Sequence, residues 1–364
     1  MHILIVNAGS STLRYALLEA DRFESVAHET IETGGDTRAA LRRMLERLHE
    51  FPAPAAIGHR VVHGGPSLTG PVRIDDGVVA TIESVSRYAP LHNPVNLEAI
   101  RTCRSAWPDS VHVAVFDTGF HATLPDRARR YALPGDVVNR HGLRRFGFHG
   151  ISHEQLMLDA AAFLGRPADA LNFITLHLGN GASATAIRNG RSVDTSMGMT
   201  PAEGLVMGTR SGDLDPGLLA YLARADGLDG AALDTLVNRR SGLVGLCGDA
   251  DMREVRTRAV AGDAEAQRAI DVYCYRIRKY IGAFQAVLGR VDALVFSGGV
   301  GENHPWLVQA VCENLVGIRV DATGPERVVP PVNLAASDSD VDVLVIAADE
   351  TRSIARQVVP LLAG

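Results

Sequence analysis

Two stretches far apart in this 364-residue chain repeat one local plan. IVNAGSSTLRYALLE at the start and THLGNGASATAIRNG near the middle each run an apolar strand into a turn of Asn, Gly and Ser, then out into a second apolar strand. Small residues there let backbone N–H groups and hydroxyls close around a phosphate, because glycine adopts φ > 0 freely and bulky side chains would hold the ligand off. One such loop is also what any β-hairpin turn looks like. The pair points further, to a duplicated domain holding one nucleotide between its halves. A third Gly-rich stretch, DALVFSGGVGEN, follows an apolar run from Asp292 to Phe296 and offers another place for a nucleotide to lie against backbone. No GxxxxGK[ST] sequence occurs, which excludes a Walker-type loop.

The chain is long enough for two domains of usual size, and at 46% hydrophobic and 21% charged it can bury a full core. Its formal net charge is -6 and no dense Lys/Arg block occurs, so neither a nucleic-acid groove nor an anionic membrane surface is indicated. Cys103, Cys247, Cys274 and Cys312 lack CxxC spacing, which argues against a zinc knuckle and for reduced core thiols. ILIV is too short for a signal peptide's apolar region, and no run approaches a membrane span, so a cytoplasmic location is the default expectation.

Strand-like runs recur at 3–6, 57–62, 111–116, 172–176, 293–296 and 341–346, with helical patterns between them. Asp36 is placed to cap one helix, Ser152 with Gln155 reads as a capping box before the next, and Asp215-Pro216 starts another. The longest helix is expected from about Asp263 to Leu288, with Ile270, Tyr273, Cys274, Ile277, Ile281 and Phe284 as core. Strands alternating with helices mean an α/β fold, and the two hairpins imply mixed sheets. The boundary between the halves is expected near Phe148 to Ser152, and the closing segment TRSIARQVVPLLAG is expected to pack back on the first half.

Several polar residues stand where chemistry would need them. Asp117 ends the strand VHVAVF and Glu350 follows VDVLVIAA, and ligands of α/β sheets gather beyond the carboxyl ends of strands. Two carboxylates there suit Mg²⁺ held through water, although each could equally cap the following segment. Arg60 in GHRVVHGG and Arg210 in MGTRSGDLDPG lie in tight or apolar surroundings that call for a paired anion, supplied by substrate or by a protein acid such as Asp213. His92, His149 and His177 each stand in a loop setting from which an imidazole can donate to a phosphoryl oxygen. The His59/His63 and His149/His153 spacings lack a third ligand or an HExxH pattern, so zinc is not expected.

Taken in order, NAGSS, GHRVVHGG, PLHNP, VFDTGFH, FGFHGISH, HLGNGAS, MGMTPAEGLVMGTRSGDLDP, DADMRE, FSGGVGEN and ADETR resemble the acetokinase family over nearly the whole chain. The resemblance implies the duplicated two-domain α/β fold shared by sugar kinases, Hsp70 and actin, with mixed sheets around a central nucleotide cleft. On that basis residues 1–149 form the acyl-substrate and phosphate domain, with 350–364 returning to it, and 150–349 form the nucleotide-binding domain. It implies reversible transfer of the ATP γ-phosphoryl group to acetate, with propionate or butyrate as alternative acids, Mg²⁺ or Mn²⁺ as cofactor, ATP and ADP as co-substrates, and a homodimer. A nucleotide-switched binding protein is the alternative from another class.

Residue by residue, the resemblance assigns Asn7, Asp117 and Glu350 to the metal site, Arg60 and Arg210 to the substrate carboxylate and the transferring group, and His149 to the phosphoryl group in flight. His92, His177 and Arg14 have supporting places. Val62, Leu91, Phe148 and Pro201 form a small acyl pocket. The nucleotide falls to His177, Leu178, Gly179, Asn180 and Gly181, to Asp251, Met252 and Arg253, and to Gly298, Gly299, Val300, Gly301 and Asn303. Arg14 departs from the usual lysine after the first loop, with Thr12 and Tyr15 also unusual nearby, and a planar fork does not always replace a point charge at a phosphate.

Overall fold

The computed structural model describes residues 1–9, 11–321 and 328–362. The elements run, in chain order, β1 (His2–Ala8), β2 (Thr12–Glu19), β3 (Ser25–Glu32), α1 (Thr37–Leu48), β4 (Ala56–Val61), β5 (Val72–Arg73), α2 (Asp76–Ser84), α3 (Asn93–Ala106), β6 (Val111–Phe116), α4 (Asp126–Arg129), α5 (Gly135–His141) and α6 (Gly150–Phe163). They continue with β7 (Asn172–Leu178), β8 (Ala182–Arg188), β9 (Arg191–Thr195), α7 (Pro216–Ala225), α8 (Gly230–Arg239), α9 (Gly242–Cys247), α10 (Met252–Val260), α11 (Ala264–Leu288), β10 (Ala293–Ser297), α12 (Gly298–Asn303), α13 (Pro305–Cys312), β11 (Val332–Asn333), β12 (Asp342–Val345) and α14 (Glu350–Val358).

Two six-stranded sheets result, with strand orders β3-β2-β1-β4-β6-β5 and β9-β8-β7-β10-β12-β11. In each, a three-strand antiparallel meander feeds two further strands parallel to its first, and a two-residue antiparallel strand closes the far edge. The same order and the same senses recur, so the mixed-sheet duplication expected from the two loops is present in the topology itself.

The chain divides into two compact units: residues 1–122, 149–155 and the segment from Asp349 onward, and residues 123–148 with 156–348. Residues 123–148 fall in the second unit, in contrast to the boundary expected from sequence. The cause lies in their hydrogen bonds: Thr123 donates to Ser192 O (2.9 Å), and the Phe146 and Gly147 amides both donate to Gly198 O (3.1 Å each).

In the first unit, strand alternation sorts the side chains. Leu4, Val6, Leu13, Tyr15 and Leu17 pack under α1 and α3, while Ile3, Ile5, Ala16, Leu18, Val113 and Val115 meet Ile354, Ala355 and Val358 of α14. Gly58 makes that second contact close: a Cβ there would lie 2.8 Å from Val358 Cγ2 and 2.9 Å from Ile354 Cγ2. In the second unit α11 carries the expected buried stripe, including Ile270, Ile277, Ile281 and Phe284, and Asp263 caps it. Asp36 and Asp215 also cap as expected. Ser152 does not. The helix begins at Gly150, so Ser152 lies inside its first turn, and the Gln155 side chain instead accepts the Asp349 amide at 3.0 Å. No helix among the described residues is long and apolar enough to cross a membrane.

Candidate active site

In the first unit the alternation that buries Ile5 and Val115 against α14 carries on to the strand ends. Asn7 follows Ile5 by two residues, Arg60 follows Gly58, and Asp117 follows Val115, so all three fall on the α14 face at the carboxyl ends of parallel β1, β4 and β6, Asn7 and Arg60 one residue before the strand ends and Asp117 one residue past. Glu350, the first residue of α14, joins them. Arg60 donates through Nε to Asp117 Oδ1 (3.0 Å), through Nη2 to Asp117 Oδ2 (2.5 Å) and through Nη1 to Asn7 Oδ1 (3.1 Å). Asn7 Nδ2 donates to Glu350 Oε2 (3.3 Å), which lies 4.0 Å from Arg60 Nε. Thus a fork-to-fork pair and an amide bridge join the metal and arginine positions inferred from sequence.

Burial governs the electrostatics. The Asp117 side chain is 2% exposed, and burial together with the nearby Glu350 pushes its carboxyl up to about 6 despite the facing guanidinium. Burial pulls Arg60 down, but Asp117 and Glu350 outweigh it and hold its proton more tightly than usual. Among the described residues no group of three or more His, Cys, Asp or Glu side chains forms a chelating cage. Two carboxylates and an amide oxygen do fit a hard divalent cation that keeps much of its water, and a cation there would relieve the carboxylate repulsion.

Arg14 pairs directly across the hairpin with Asn7, on the same face, and is exposed. His92 precedes α3, half-buried, and His149 precedes α6 with φ +57, a strained conformation for a residue with a Cβ. Val62 is buried just past β4, and Leu91 is 52% exposed. The motif reading missed Asn93 and Asn96, both fully buried on α3. Asn96 accepts the Val62 amide (3.1 Å) and donates to Ala8 O (2.7 Å); Asn93 accepts the His63 amide (3.1 Å). The two side chains therefore tie the ends of β1 and β4 together next to Asn7 and Arg60. Their signal was in the sequence: asparagines three apart on the apolar face of a helix.

In the second unit Arg210 donates to Pro201 O (3.3 Å) and contacts Met207 Sδ (3.5 Å). No carboxylate pairs with it among the described residues; burial pulls its guanidinium below the ordinary value. Asp213, the acid that could have been its partner, is taken by Tyr280 (2.8 Å) and by the Gly204 amide (2.9 Å). Pro201 is half-buried and Phe148 is 2% exposed.

A pocket of about 810 Å³ lies in the same unit, within the range of small-molecule sites. Eight expected nucleotide residues line it: Gly179, Asn180, Asp251, Met252, Arg253, Gly299, Val300 and Asn303. His177, Leu178, Gly181, Gly298 and Gly301 do not. Gly298 serves close packing instead: at φ +79, its Cβ would strike the Leu178 backbone at 2.6–2.9 Å. Asp251 caps α10 and is gripped by Arg253, whose hydrogen bonds lower its carboxyl to about 2. The reading missed Leu243, Glu302, His304 and Tyr273. Glu302 lies within the third Gly-rich stretch and His304 directly follows it, whereas Leu243 and Tyr273 come from remote helices and carry no local signal. Tyr273, expected only as core, is indeed buried, yet it also forms part of the pocket wall.

Residues 27–356 match the family described as the acetokinase family. An acetate kinase of Streptomyces avermitilis is 46% identical over 393 aligned residues, spanning 99% of this chain and 97% of its own. The crystal structure of Porphyromonas gingivalis acetate kinase superposes with a TM-score of 0.93 at 38% identity, over 99% of both chains. A propionate kinase from Francisella tularensis gives 0.90 at 35% identity, over 98% of both. The chain belongs to the acetokinase family.

Proposed function

We propose that this chain catalyses reversible transfer of the γ-phosphoryl group of ATP to acetate, giving acetyl phosphate and ADP. The observation that carries the reading is Arg210, a desolvated guanidinium held, among the described residues, by a carbonyl oxygen and a thioether with no carboxylate, so that an anionic phosphoryl group supplies its counter-charge. Acetate is already an anionic nucleophile, so no strong general base is needed, and the rate comes from alignment and charge neutralisation. In this reading Arg60 orients the acetate carboxylate, with its own fork fixed by Asp117 and Asn7. Arg210 and His149 stabilise the equatorial oxygens, and His92, His177 and Arg14 support them. Asp117 and Glu350, with Asn7, would hold Mg²⁺ or Mn²⁺, which supplies neutralisation of charge on the β and γ phosphates.

The first unit then serves the acid and phosphate, and the second takes the nucleotide in its 810 Å³ pocket, with Asp251, Met252, Arg253, Gly299, Val300 and Asn303 around adenosine and Asn180 near the phosphates. Val62, Leu91, Phe148 and Pro201 bound the methyl group. The protein works as a homodimer, and α7 and α8 support this: neither buries a residue, while Leu214, Leu218 and Tyr221 are 41%, 41% and 59% exposed. The corresponding location is the cytoplasm.

Hydroxamate formation from acetate, ATP, Mg²⁺ and hydroxylamine tests the reaction, and Arg210→Ala tests the site. The substitution should lower kcat by about 10³–10⁵ and leave ADP binding measurable by calorimetry. Near-normal turnover in the variant, or no hydroxamate from any short acid with the wild type, overturns the reading. A preference for propionate is the second reading, motivated by the likeness to the Francisella propionate kinase; kcat/KM across chain lengths decides between them.

A further inference from the structure

The segment from Ser196 to Asp215 has no regular secondary structure, yet it carries both Pro201 and Arg210. Its position must therefore come from side chains and local hydrogen bonds. Glu203 is where those bonds concentrate. One carboxylate oxygen accepts from Arg145 and the other from Tyr131 Oη at 2.6 Å. Arg145 also donates to Ser196 O (3.2 Å) and Met197 O (2.9 Å), and Tyr131 Oη in turn accepts the Met199 amide (2.9 Å). The carboxylate lies directly on the loop backbone: a Cβ at Gly198 would come 1.8 Å from Glu203 Oε2 and 2.3 Å from Tyr131 Oη.

At the far end the loop is closed by Asp213, whose amide donates to Gly204 O and whose carboxylate accepts the Gly204 amide (3.0 and 2.9 Å). Pro201 lies between these two anchors. Its carbonyl is the oxygen to which Arg210 donates, at 3.3 Å. The direction of the arginine fork therefore depends on a carbonyl whose place is set from Glu203.

We propose that Glu203, with Tyr131 as its hydroxyl partner, is a positioning residue that aims Arg210 at the transferring phosphoryl group through the Pro201 carbonyl. The proposal rests on the kinase reading above and adds to it a residue pair that touches neither substrate.

The test is a double-mutant cycle between Tyr131→Phe, which removes one hydroxyl, and Arg210→Ala, read as kcat for acetyl phosphate formation with radiolabelled ATP. Alone, Tyr131→Phe should lower kcat about tenfold, with the KM for ATP within twofold of wild type. In the Arg210→Ala background the same substitution should lower kcat less than twofold, because the group it aims is gone. Glu203→Gln provides a second arm with the same pattern, and thermal melting measures the folded fraction of each variant. Equal tenfold losses in both backgrounds, no loss in the wild-type background, or a loss that merely follows the folded fraction overturns the proposal. A wild-type enzyme that binds no nucleotide and forms no acyl phosphate refutes the kinase reading instead, so the two failures are distinguishable.

Discussion

Replacing Gly58 by alanine should loosen the carboxylate site without touching any residue in it. The new methyl would meet Val358 Cγ2 at 2.8 Å, Ile354 Cγ2 at 2.9 Å and Ile5 Cδ1 at 3.0 Å, whereas ordinary contact begins at 3.4 Å. Ile5 belongs to the middle of a sheet, so the helix gives way, and α14 must back off by about 0.6 Å to restore that contact. Overpacking of this kind costs about 1–3 kcal/mol. The Asn7–Glu350 hydrogen bond, already 3.3 Å long, then passes beyond hydrogen-bonding range, and Glu350 leaves its place beside Arg60. Displacements of this size at a reacting centre cost on the order of 10–10² in rate. Differential scanning fluorimetry should show a melting temperature several degrees lower. The hydroxamate assay, titrated with Mg²⁺, should show a reduced kcat and a higher metal requirement. Adding Val358→Ala removes the nearest clash and should recover part of both losses. A Gly58→Ala protein with wild-type melting and turnover would refute the argument that α14 is seated on the bare backbone of β4, and lowered melting with unchanged metal dependence would detach Glu350 from the metal.

Val62→Ala should shift kcat/KM toward propionate over acetate by about tenfold, the scale of one methylene in an apolar pocket; an unchanged ratio removes Val62 from the acyl wall. His59 is fully buried, and burial, with His112 beside it at 3.1 Å, holds its pKa well below the ordinary value. The unfolded chain takes up that proton near pH 6.5 and the folded chain refuses it. Stability should thus be fully present above that pH and fall below it by up to about 1.4 kcal/mol per pH unit, and His59→Gln should flatten the slope in urea titrations. The Tyr273 hydroxyl is buried with no hydrogen-bond partner among the described residues, so Tyr273→Phe should raise stability by about 1 kcal/mol; a lower melting temperature would mean that the hydroxyl is satisfied in solution.

The features legible in the sequence were those with a local pattern. Two Gly/Asn/Ser turns between apolar strands announced the paired hairpins, and strand-like apolar runs located β1, β4, β6, β7, β10 and β12 within a residue or two. Asp117 and Glu350 stood out as candidates because a carboxylate directly after an apolar strand, or a few residues beyond one, is a positional statement. Strand β3 was missed: SVAHETIE exposes most of its residues at a sheet edge and lacks an apolar alternation. The assignment of 123–148 was missed for a different reason. Its attachment rests on the amides of Phe146 and Gly147 meeting the carbonyl of Gly198 and on the Thr123, Tyr131 and Arg145 side chains reaching residues 192–203, and partners chosen by backbone atoms or across such sequence distances leave no local pattern. Arg60 and Arg210 looked alike in sequence and differ in the structure. The first is locked to Asp117, while the second has no acid among the described residues, Asp213 being held by Tyr280 from a helix far along the chain.

Helix α14 also sets an order of events. One face of the first sheet, with Ile3, Ile5, Val113 and Val115, is covered largely by α14, whose residues are synthesised only after those of the whole second unit. Until then a greasy surface stands open to solvent and to chaperones, and Asn7, Arg60 and Asp117 wait without their second carboxylate. A chain that stalls before Glu350 is left with that apolar face lacking its α14 cover and with Asn7 lacking the carboxylate to which it donates.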